Sequence, residues 1–546
     1  MSVRTIADTL LRELAGVDPT AAQALGDDSA GPMPALSPAA FDTRRAAQQR
    51  ALRSLAAAGP PAPADAVLAA ALTERLSSDI ALDETGFTRS LLAPLATPVH
   101  QVREVFDNLP HENRQQWERV ASCLGQVPQA LADYTETLRS AAAAGHRVAA
   151  RQVSGAAAQC AQWVSPTGDD FYRRLIADAP DVPGLAGGAS AATDATGRFV
   201  DFLRTELLPA APQHDAVGQQ RYSVTARAFL GDVVDLADTY EFGWHELARL
   251  TDEMTAVAKD LRFSSIEEAA AALDADPDQQ LADPDQLLGW LQGRVDEVTD
   301  AIDGTHFDLP PAARRAECRL SAAASGVMYY AQPDAAFTRP GRIWWAPRAG
   351  GEPSFAWREV TTVHHEGAPG HHLQIAVAMA EPDLHPWQRS MAHVHGYVEG
   401  WAHYAERLCD ELGLLRTPGE RLGMLYGQRW RAARIVIDMG LHLGLPIPAG
   451  NGFTEATEWT PELGVAVLRA ASGCDEASAR FEVDRYFGWP AQALAFRVGA
   501  RLWRQVRETA ESRPGFDLRA FHMDALRLGP LGLGPLRQAL IGDSRG

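Results

Sequence analysis

The chain has 546 residues, of which 46% are hydrophobic and 22% are charged, and this composition is typical of globular proteins rather than disordered or fibrous ones. Fifty Lys and Arg residues against seventy Asp and Glu residues give a formal net charge of −20. Nucleic acid and anionic membranes are therefore excluded as expected partners, because an acidic surface repels their phosphate groups.

The basic and sulfur-containing residues exclude several kinds of site. Lys259 is the only lysine, and it follows Ala258 rather than the glycine that a phosphate-binding P-loop requires. The five cysteines are widely spread without a CxxC pair, which predicts neither a disulfide framework nor a cysteine zinc site. Residues 1–19 lack the apolar core of a signal peptide, and no run of about 18 apolar residues occurs. We therefore expect a cytoplasmic protein.

Helical periodicity, with abundant Ala and Leu, runs along most of the chain and is broken by segments rich in Pro and Gly. It predicts a mostly α-helical fold. Residues 342–345 have the aromatic and β-branched content of a strand, between Gly341 and Pro347. At most a small β-hairpin at an edge is expected there.

Half of the sixteen histidines lie between positions 364 and 403. Imidazole is the commonest metal ligand and general base in proteins, so this concentration predicts one chemical site. Its members are His364, His365, His371, His372, His385, His393, His395 and His403.

The segment TTVHHEGAPGHHLQ, residues 361–374, resembles the zincin helix, in which two histidines one turn apart bind zinc and the glutamate after the first activates water. His365 and His371 are six positions apart, which on an unbroken helix separates them by about 120° around the axis. A bulge at residues 367–370, Gly-Ala-Pro-Gly, would absorb two extra residues and so bring His365 and His371 to the same side of the helix.

We therefore predict His365 and His371 as metal ligands and Glu366 as the general base. His364 and His372 are the alternatives for the two ligand positions. A different interpretation of the spacing is a helix start with several hydrogen-bonded histidines and no metal.

A third ligand is predicted from the segment YVEGWAHYAERL, a helix expected to end near Gly413. Glu399, His403 and Glu406 form a polar stripe along it at helical spacing. Burial of such a stripe requires partners, and a carboxylate from a second helix completes the His/His/Glu catalytic zinc site. Glu399 is predicted as that ligand, with an ordinary ion-paired glutamate as the alternative. His403 and Glu406 are predicted to orient the ligands.

The next predicted helix, residues 421–444, also carries a polar ridge among apolar residues. Such a ridge either orients metal ligands, anchors substrate or forms a buried structural Arg–Asp pair. Its members are Arg431, Arg434, Asp438 and His442.

Four sequence blocks in this order resemble the bacterial family catalogued as domain of unknown function 885: HEGAPGHHLQ, YVEGWAHYAERL, RLGMLYGQRWRAARIVIDMGLH and RYFGWPAQALAFRVG. The last block has the pattern of two helices broken at Pro490. More distantly, the blocks are similar to gluzincin metallopeptidases such as the thimet oligopeptidase and angiotensin-converting enzyme groups. The clear match runs from about Tyr329 to Gly499.

The resemblance implies one large helical domain of gluzincin-like architecture over residues 1–546, with a deep cleft, a helical half at 1–300 and a metal-binding catalytic half at 301–546. It also implies a zinc-dependent peptidase site formed by His365, Glu366, His371 and Glu399. One Zn²⁺ ion is expected, although sites of imidazole and carboxylate accept other divalent metals. Further residues are expected beside the ligands or the substrate, namely Tyr330, Arg339, His372, Arg485 and Gln492, with Arg339 or Arg485 as candidates for binding a substrate carboxylate.

The chain departs from the family pattern at Ala491, where a glycine is usual, and at Phe496, where a tyrosine is usual. In gluzincins a phenol near the metal donates to the developing oxyanion, and loss of one such donor costs about 10²–10³ in rate. Tyr486 is the candidate replacement as a catalytic residue, with Tyr330 as the alternative. If neither tyrosine supplies the missing hydroxyl, the enzyme is expected to be slow, to be specialised or to have an altered activity.

The leading expectation is a zinc-dependent hydrolase that cleaves peptide or amide bonds by Glu-assisted attack of a metal-bound water. One alternative is a biosynthetic or tailoring hydrolase acting on a small aminoacyl or amide compound. Another is a peptide-binding protein whose chemistry has lapsed. The chain contains neither the Glu-x-x-His spacing of di-iron carboxylate proteins nor a Gly-x-Ser-x-Gly motif. The sequence does not indicate an oligomeric state.

Overall fold

Helix dominates the structure. The computed structural model describes residues 1–27, 31–320, 328–333, 337–346 and 352–542, with 68% helix and 4% strand. The predicted mostly α-helical fold is confirmed. Among the described residues, no helix combines the length and the apolar character needed to cross a lipid bilayer.

The chain divides into two compact units, each assembled from separate stretches. The first comprises Met1–Thr225, His385–Met391 and Arg480–Pro490. The second comprises Ala226–Leu384, Ala392–Ala479 and Ala491–Gly546. The division at residues 1–300 and 301–546 stays a prediction.

The first ten helices follow one another without an intervening strand. In chain order they are α1 Val3–Leu14, α2 Pro19–Ala24, α3 Pro38–Ala57, α4 Ala66–Glu84, α5 Pro98–Asn108, α6 Arg114–Ala143, α7 Ala150–Val164, α8 Phe171–Leu175, α9 Leu185–Phe202 and α10 Gly218–Leu230. A capping box starts the longest of them, α6, because Asn113 accepts from the Gln116 amide and the Gln116 side chain accepts in return. Its apolar face, including Trp117 and Tyr134, is buried with Phe199 of α9.

The remaining helices carry most of the predicted site residues. They are α11 Leu236–Asp260, α12 Ile266–Ala275, α13 Pro284–Ile302, α14 Ala356–Glu366, α15 His371–Ala380, α16 Pro386–Met391, α17 His395–Glu411, α18 Pro418–Leu443, α19 Pro461–Ser472, α20 Glu476–Gly488, α21 Ala495–Glu511, α22 Leu518–Arg527 and α23 Leu533–Ile541. The predicted end of a helix near Gly413, the helix over 421–444 and the break at Pro490 all agree with these bounds.

Five short strands in the described part of the chain form two small sheets. They are β1 Gln280–Leu281, β2 Ala316–Leu320, β3 Tyr329–Ala331, β4 Gly341–Trp345 and β5 Ser354–Phe355. Strand β1 pairs with β5 in antiparallel orientation, and β4 lies between parallel β2 and antiparallel β3.

The predicted strand at 342–345 is therefore confirmed, but its expected place at an edge is wrong. It is central because alternate residues, including Ile343 and Trp345, are buried in one cluster with Leu291 of α13 and Val363 of α14.

Glycines allow the helices of the second unit to approach closely. A Cβ atom at Gly400 of α17 would lie 2.6 Å from the Cα atom of Gly499 in α21. A Cβ atom at Gly423 of α18 would lie 1.9 Å from the carbonyl oxygen of Trp357 in α14. Any larger residue at these positions would push the helices apart, so the glycines fix how closely α14, α17, α18 and α21 pack.

His522 of α22 is buried as a neutral imidazole. It stacks on Phe307 with ring centroids 5.5 Å apart, and its Nε2 lies 2.9 Å from the Tyr404 hydroxyl. Arg507 donates to the same hydroxyl oxygen at 3.1 Å. Burial, together with the charge of Arg507, lowers the pKa of His522 to about 3.

His522 predicts a loss of stability in acid. Its folded pKa lies below the unfolded value of about 6.5, so the unfolded chain binds the proton first and the free energy of unfolding falls as the pH drops below about 6.5. At pH 5 this effect amounts to about 2 kcal/mol. We expect urea unfolding of His522→Gln to lose about 2 kcal/mol less than wild type between about pH 7.5 and 5.

The matched control is His245→Gln, because the His245 side chain is 73% exposed. It should keep the wild-type dependence on pH. An unchanged dependence in His522→Gln would contradict the prediction.

Candidate metal centre

The segment between α14 and α15 positions both predicted histidine ligands. Helix α14 ends at Glu366 and α15 begins at His371, with a cis peptide bond between Ala368 and Pro369. A Cβ atom at Gly370 would lie 2.0 Å from the His365 carbonyl oxygen, so the turn requires glycine there. The predicted bulge within one helix is thus wrong, because the four residues break the helix completely.

His365, His371 and Glu399 converge. Each offers a donor atom, and the three atoms lie within 4.8 Å of one another. Glu399 Oε2 is 3.2 Å from His365 Nε2 and 3.6 Å from His371 Nε2. Two ligands of a tetrahedral zinc ion, each about 2.1 Å from it, lie about 3.4 Å apart. The donor types and spacings therefore fit one such ion, and the Glu399 side chain, 20% exposed, leaves a path to solvent.

Glu406 orients His365 from behind. The His365 Nδ1 atom lies 2.8 Å from Glu406 Oε1, and both side chains are buried. Because a carboxylate only accepts, Nδ1 donates to Glu406, and Nε2 is the nitrogen that faces Glu399 and His371 and would bind a metal after losing its proton. The structure thus places Glu406 where the sequence predicted an orienting residue.

These contacts also shift the acid–base properties of the centre. Burial alone would lower the pKa of His365, but Glu399 and Glu406 outweigh it and raise the pKa to about 9. Burial alone would raise the pKa of both carboxyl groups, but the histidines beside them hold it well below the usual range. A proton and a divalent cation compete for the same nitrogen of His365, so metal uptake here would release a proton.

Glu366 adjoins this centre, and its charge interacts with His365. The residue is 7% exposed, and its Oε2 atom is buried with no hydrogen bond. A buried carboxylate oxygen without a donor is costly unless water or a ligand completes it. The Oε2 atom of Glu366 can therefore accept a proton, as the predicted general base requires.

The two alternative ligands lie elsewhere. His372 Nε2 donates to the Ala313 carbonyl at 3.0 Å and its Nδ1 accepts from the Tyr330 hydroxyl at 2.9 Å, so neither nitrogen is available to a metal. His364 is fully buried outside the converging group, and burial lowers its pKa to about 3. Neither residue competes with His365 and His371.

A buried polar network continues behind Glu406. Gln428 Nε2 donates to Glu406 Oε2 at 2.9 Å and lies 3.2 Å from His403 Nδ1. Arg497 donates to Gln428 Oε1 and to Glu246 Oε2. Sequence reasoning placed His403 here but missed the other three residues. Gln428 and Arg497 are polar residues in helix segments that are otherwise largely apolar, and this pattern could have identified them. No comparable pattern in the sequence marks Glu246.

Phe496 stacks on His365, with ring centroids 6.1 Å apart and an interplanar angle of 19°. Two guanidinium groups of the predicted ridge lie over the same phenyl ring, Arg434 at 4.6 Å and Arg431 at 5.6 Å from its centroid. The position where the family pattern has a tyrosine is thus surrounded by cations.

Asp438 of the same ridge holds the turn that leads to Phe496. Its Oδ2 accepts from the Ala491 amide at 2.9 Å, and His442 Nε2 lies 3.8 Å from its Oδ1. Ala491 has a φ of +70°, a left-handed conformation that favours the glycine of the family pattern. Gln492 is buried directly after it.

The remaining predicted residues have local partners. Arg339 donates to the carbonyl of Gln332 at 2.7 Å. Arg485 and Tyr486 both donate to Glu482, at 3.2 and 3.0 Å. Arg485, Tyr486 and Glu482 belong to the first unit, whereas His365, His371 and Glu399 belong to the second.

Two solved structures are similar to this chain along 99% of both chains. One is a "putative lipoprotein" from Colwellia psychrerythraea, with a TM-score of 0.82 and 21% identity. The other is a "putative lipoprotein of unknown function" from Shewanella oneidensis, with a TM-score of 0.72 and 17% identity. At these identities they establish the fold alone. A comparison with curated proteins finds no match.

A family model described as "Bacterial protein of unknown function (DUF885)" matches residues 19–540, nearly the whole chain. The resemblance found in the sequence blocks is therefore confirmed at the level of the family. The protein belongs to the DUF885 family of bacterial proteins.

Proposed function

We propose that this protein is a zinc-dependent hydrolase of peptide or amide bonds. The observation that carries the proposal is the convergence of His365, His371 and Glu399 within 4.8 Å, beside the unpartnered Oε2 of Glu366. A His-Glu pair, a second histidine and a glutamate from a later helix are also the arrangement of gluzincin metallopeptidases. The similarity to that group is part of the proposal.

A tetrahedral zinc ion held by these three residues would keep a fourth position for water or substrate. Such an ion would polarise a substrate carbonyl and bring the pKa of a water ligand to about 7. Glu406 keeps His365 in the tautomer that can bind, and the network through Gln428 keeps Glu406 in place.

Glu366 is the proposed general base. Its Oε2 atom takes a proton from water as the water oxygen forms a bond to the carbonyl carbon. When the carbon–nitrogen bond breaks, Glu366 delivers that proton to the leaving amine. Proton transfer of this kind typically contributes about 10²–10⁴ in rate.

Phe496 favours a second candidate, a tailoring hydrolase of a small aminoacyl or amide compound. Its phenyl ring cannot donate to an oxyanion, whereas Arg434 and Arg431 over the ring bring positive charge. A substrate panel separates the candidates, because hydrolysis confined to common peptides would count against tailoring. A peptide that binds to the zinc-loaded protein without cleavage would instead support the lapsed binding protein.

We also propose a cytoplasmic location, because the five cysteines are free thiols and a reducing compartment keeps cysteines in that state. The two similar structures come from proteins described as "putative lipoproteins". A lipoprotein carries a lipid, so recovery of the native protein in the membrane fraction would contradict this proposal.

Glu366→Gln should strongly reduce turnover while leaving metal binding intact. We expect kcat to fall by about 10²–10⁴ because the amide cannot accept the proton, and zinc content to stay at wild-type level because Glu366 is not a ligand. The measurements are hydrolysis of a panel of peptides and amides, and metal analysis. Glu411→Gln at the exposed end of α17 is the matched control. Equal activity of Glu366→Gln and wild type would reject the mechanism.

Glu406→Gln should weaken zinc binding without removing a ligand. We expect the Kd for zinc to rise by about 10- to 100-fold, because the amide no longer fixes the His365 tautomer with a charge. Competition with a chelating indicator measures this change. Glu411→Gln alters the charge of the same helix far from His365 and should bind zinc like wild type. Unchanged affinity in Glu406→Gln would show that the contact does not support a metal.

Phe496→Tyr should raise the rate of peptide hydrolysis, by up to about 10²-fold, because it restores a hydroxyl donor near the ligands. Phe496→Leu, which removes the ring without adding a donor, should not accelerate hydrolysis. The measurement is kcat for both variants at saturating zinc. A rate of Phe496→Tyr equal to or below that of wild type would show that a missing phenol does not limit the reaction.

A further inference from the structure

The first unit contains a cavity of about 210 Å³ that has no role in the proposed hydrolysis. Apolar side chains, among them Phe87, Leu92 and Phe487, form part of its lining. Cavities that take drug-sized ligands measure roughly 300–1,000 Å³, so this one suits a smaller compound with an apolar group.

Two arginines line this cavity without an acidic partner among the described residues. Arg221 lies in the first turn of α10, and its Nε atom is buried without a hydrogen bond. Burial also lowers the pKa of Arg221, which means that its charge is not compensated by a neighbouring carboxylate. Arg147 is exposed and lines the same cavity. In a chain with 70 acidic and 50 basic residues, two arginines left without an acid indicate a place for an external anion.

The cavity also offers one acceptor. Asp215 Oδ2 accepts from Arg151 Nε at 3.0 Å, and Arg151 also contacts Asp484 at 3.0 Å. Asp215 Oδ1 is buried and has no hydrogen bond within the described part of the chain. A ligand that carries a donor beside its anionic group would satisfy this oxygen.

We propose that this cavity binds a free amino acid with an apolar side chain. The carboxylate pairs with Arg221 and Arg147, and the ammonium group donates to Asp215 Oδ1. The side chain lies against the apolar wall that includes Phe87 and Phe487. The N-terminus of α10 beside Arg221 adds to the positive potential at the carboxylate. This inference is independent of the metal centre.

Isothermal titration of the full-length protein at about pH 7.5 tests the proposal, with L-leucine and L-phenylalanine as probes. We expect binding in the micromolar to millimolar range. L-leucinol lacks the carboxylate and 4-methylpentanoate lacks the amine, so each should bind at least about 10-fold more weakly than leucine. No binding of either amino acid up to about 10 mM, or leucinol binding as tightly as leucine, would overturn the proposal.

Variants locate the bound amino acid. Arg221→Gln should weaken leucine binding by about 10- to 100-fold, and Arg147→Gln, a change at an exposed position that does not endanger folding, should weaken it in the same direction. The matched control is Arg227→Gln, which changes an exposed arginine of the same helix and should bind leucine like wild type. Leucine binding that is unchanged in both Arg221→Gln and Arg147→Gln would place the amino acid elsewhere and overturn the proposal.

Discussion

The hydrogen bond between His365 and Glu406 is the interaction on which the candidate centre depends. A buried carboxylate and a buried imidazole stabilise each other only as a pair, because either one alone would leave a polar group unsatisfied in the interior. The 2.8 Å contact fixes the ring so that Nε2 faces Glu399 and His371. Gln428 and Arg497 extend the same polar chain within the second unit, so this orientation is built into the packing of several helices.

Much of this centre could be predicted from local sequence. Glu399 and Glu406 lie at helical spacing on one face of a single helix, and His365 and His371 lie in the segment that resembles the zincin helix. The complete break between α14 and α15 could not be predicted, because it depends on how Gly370 fits against the His365 carbonyl. Glu246 escaped prediction because its contact with Arg497 spans 251 positions and follows only from how the helices pack.

The class of the fold was predictable, and so were the helix ends near Gly413 and Gly444 and the break at Pro490, since glycine and proline mark them. The place of β4 at the centre of its sheet was not, because strand partners come from distant segments. Membership of the DUF885 family and the two similar structures support the architecture, and the proposed chemistry rests on the geometry of the second unit alone.

Diffraction from crystals of the zinc-loaded protein, with data collected on both sides of the zinc absorption edge, shows whether these residues hold the metal. We expect one anomalous peak, within about 2.3 Å of His365 Nε2, a His371 ring nitrogen and a Glu399 carboxylate oxygen. An ordered centre without a peak, or zinc bound by other residues, would contradict this expectation.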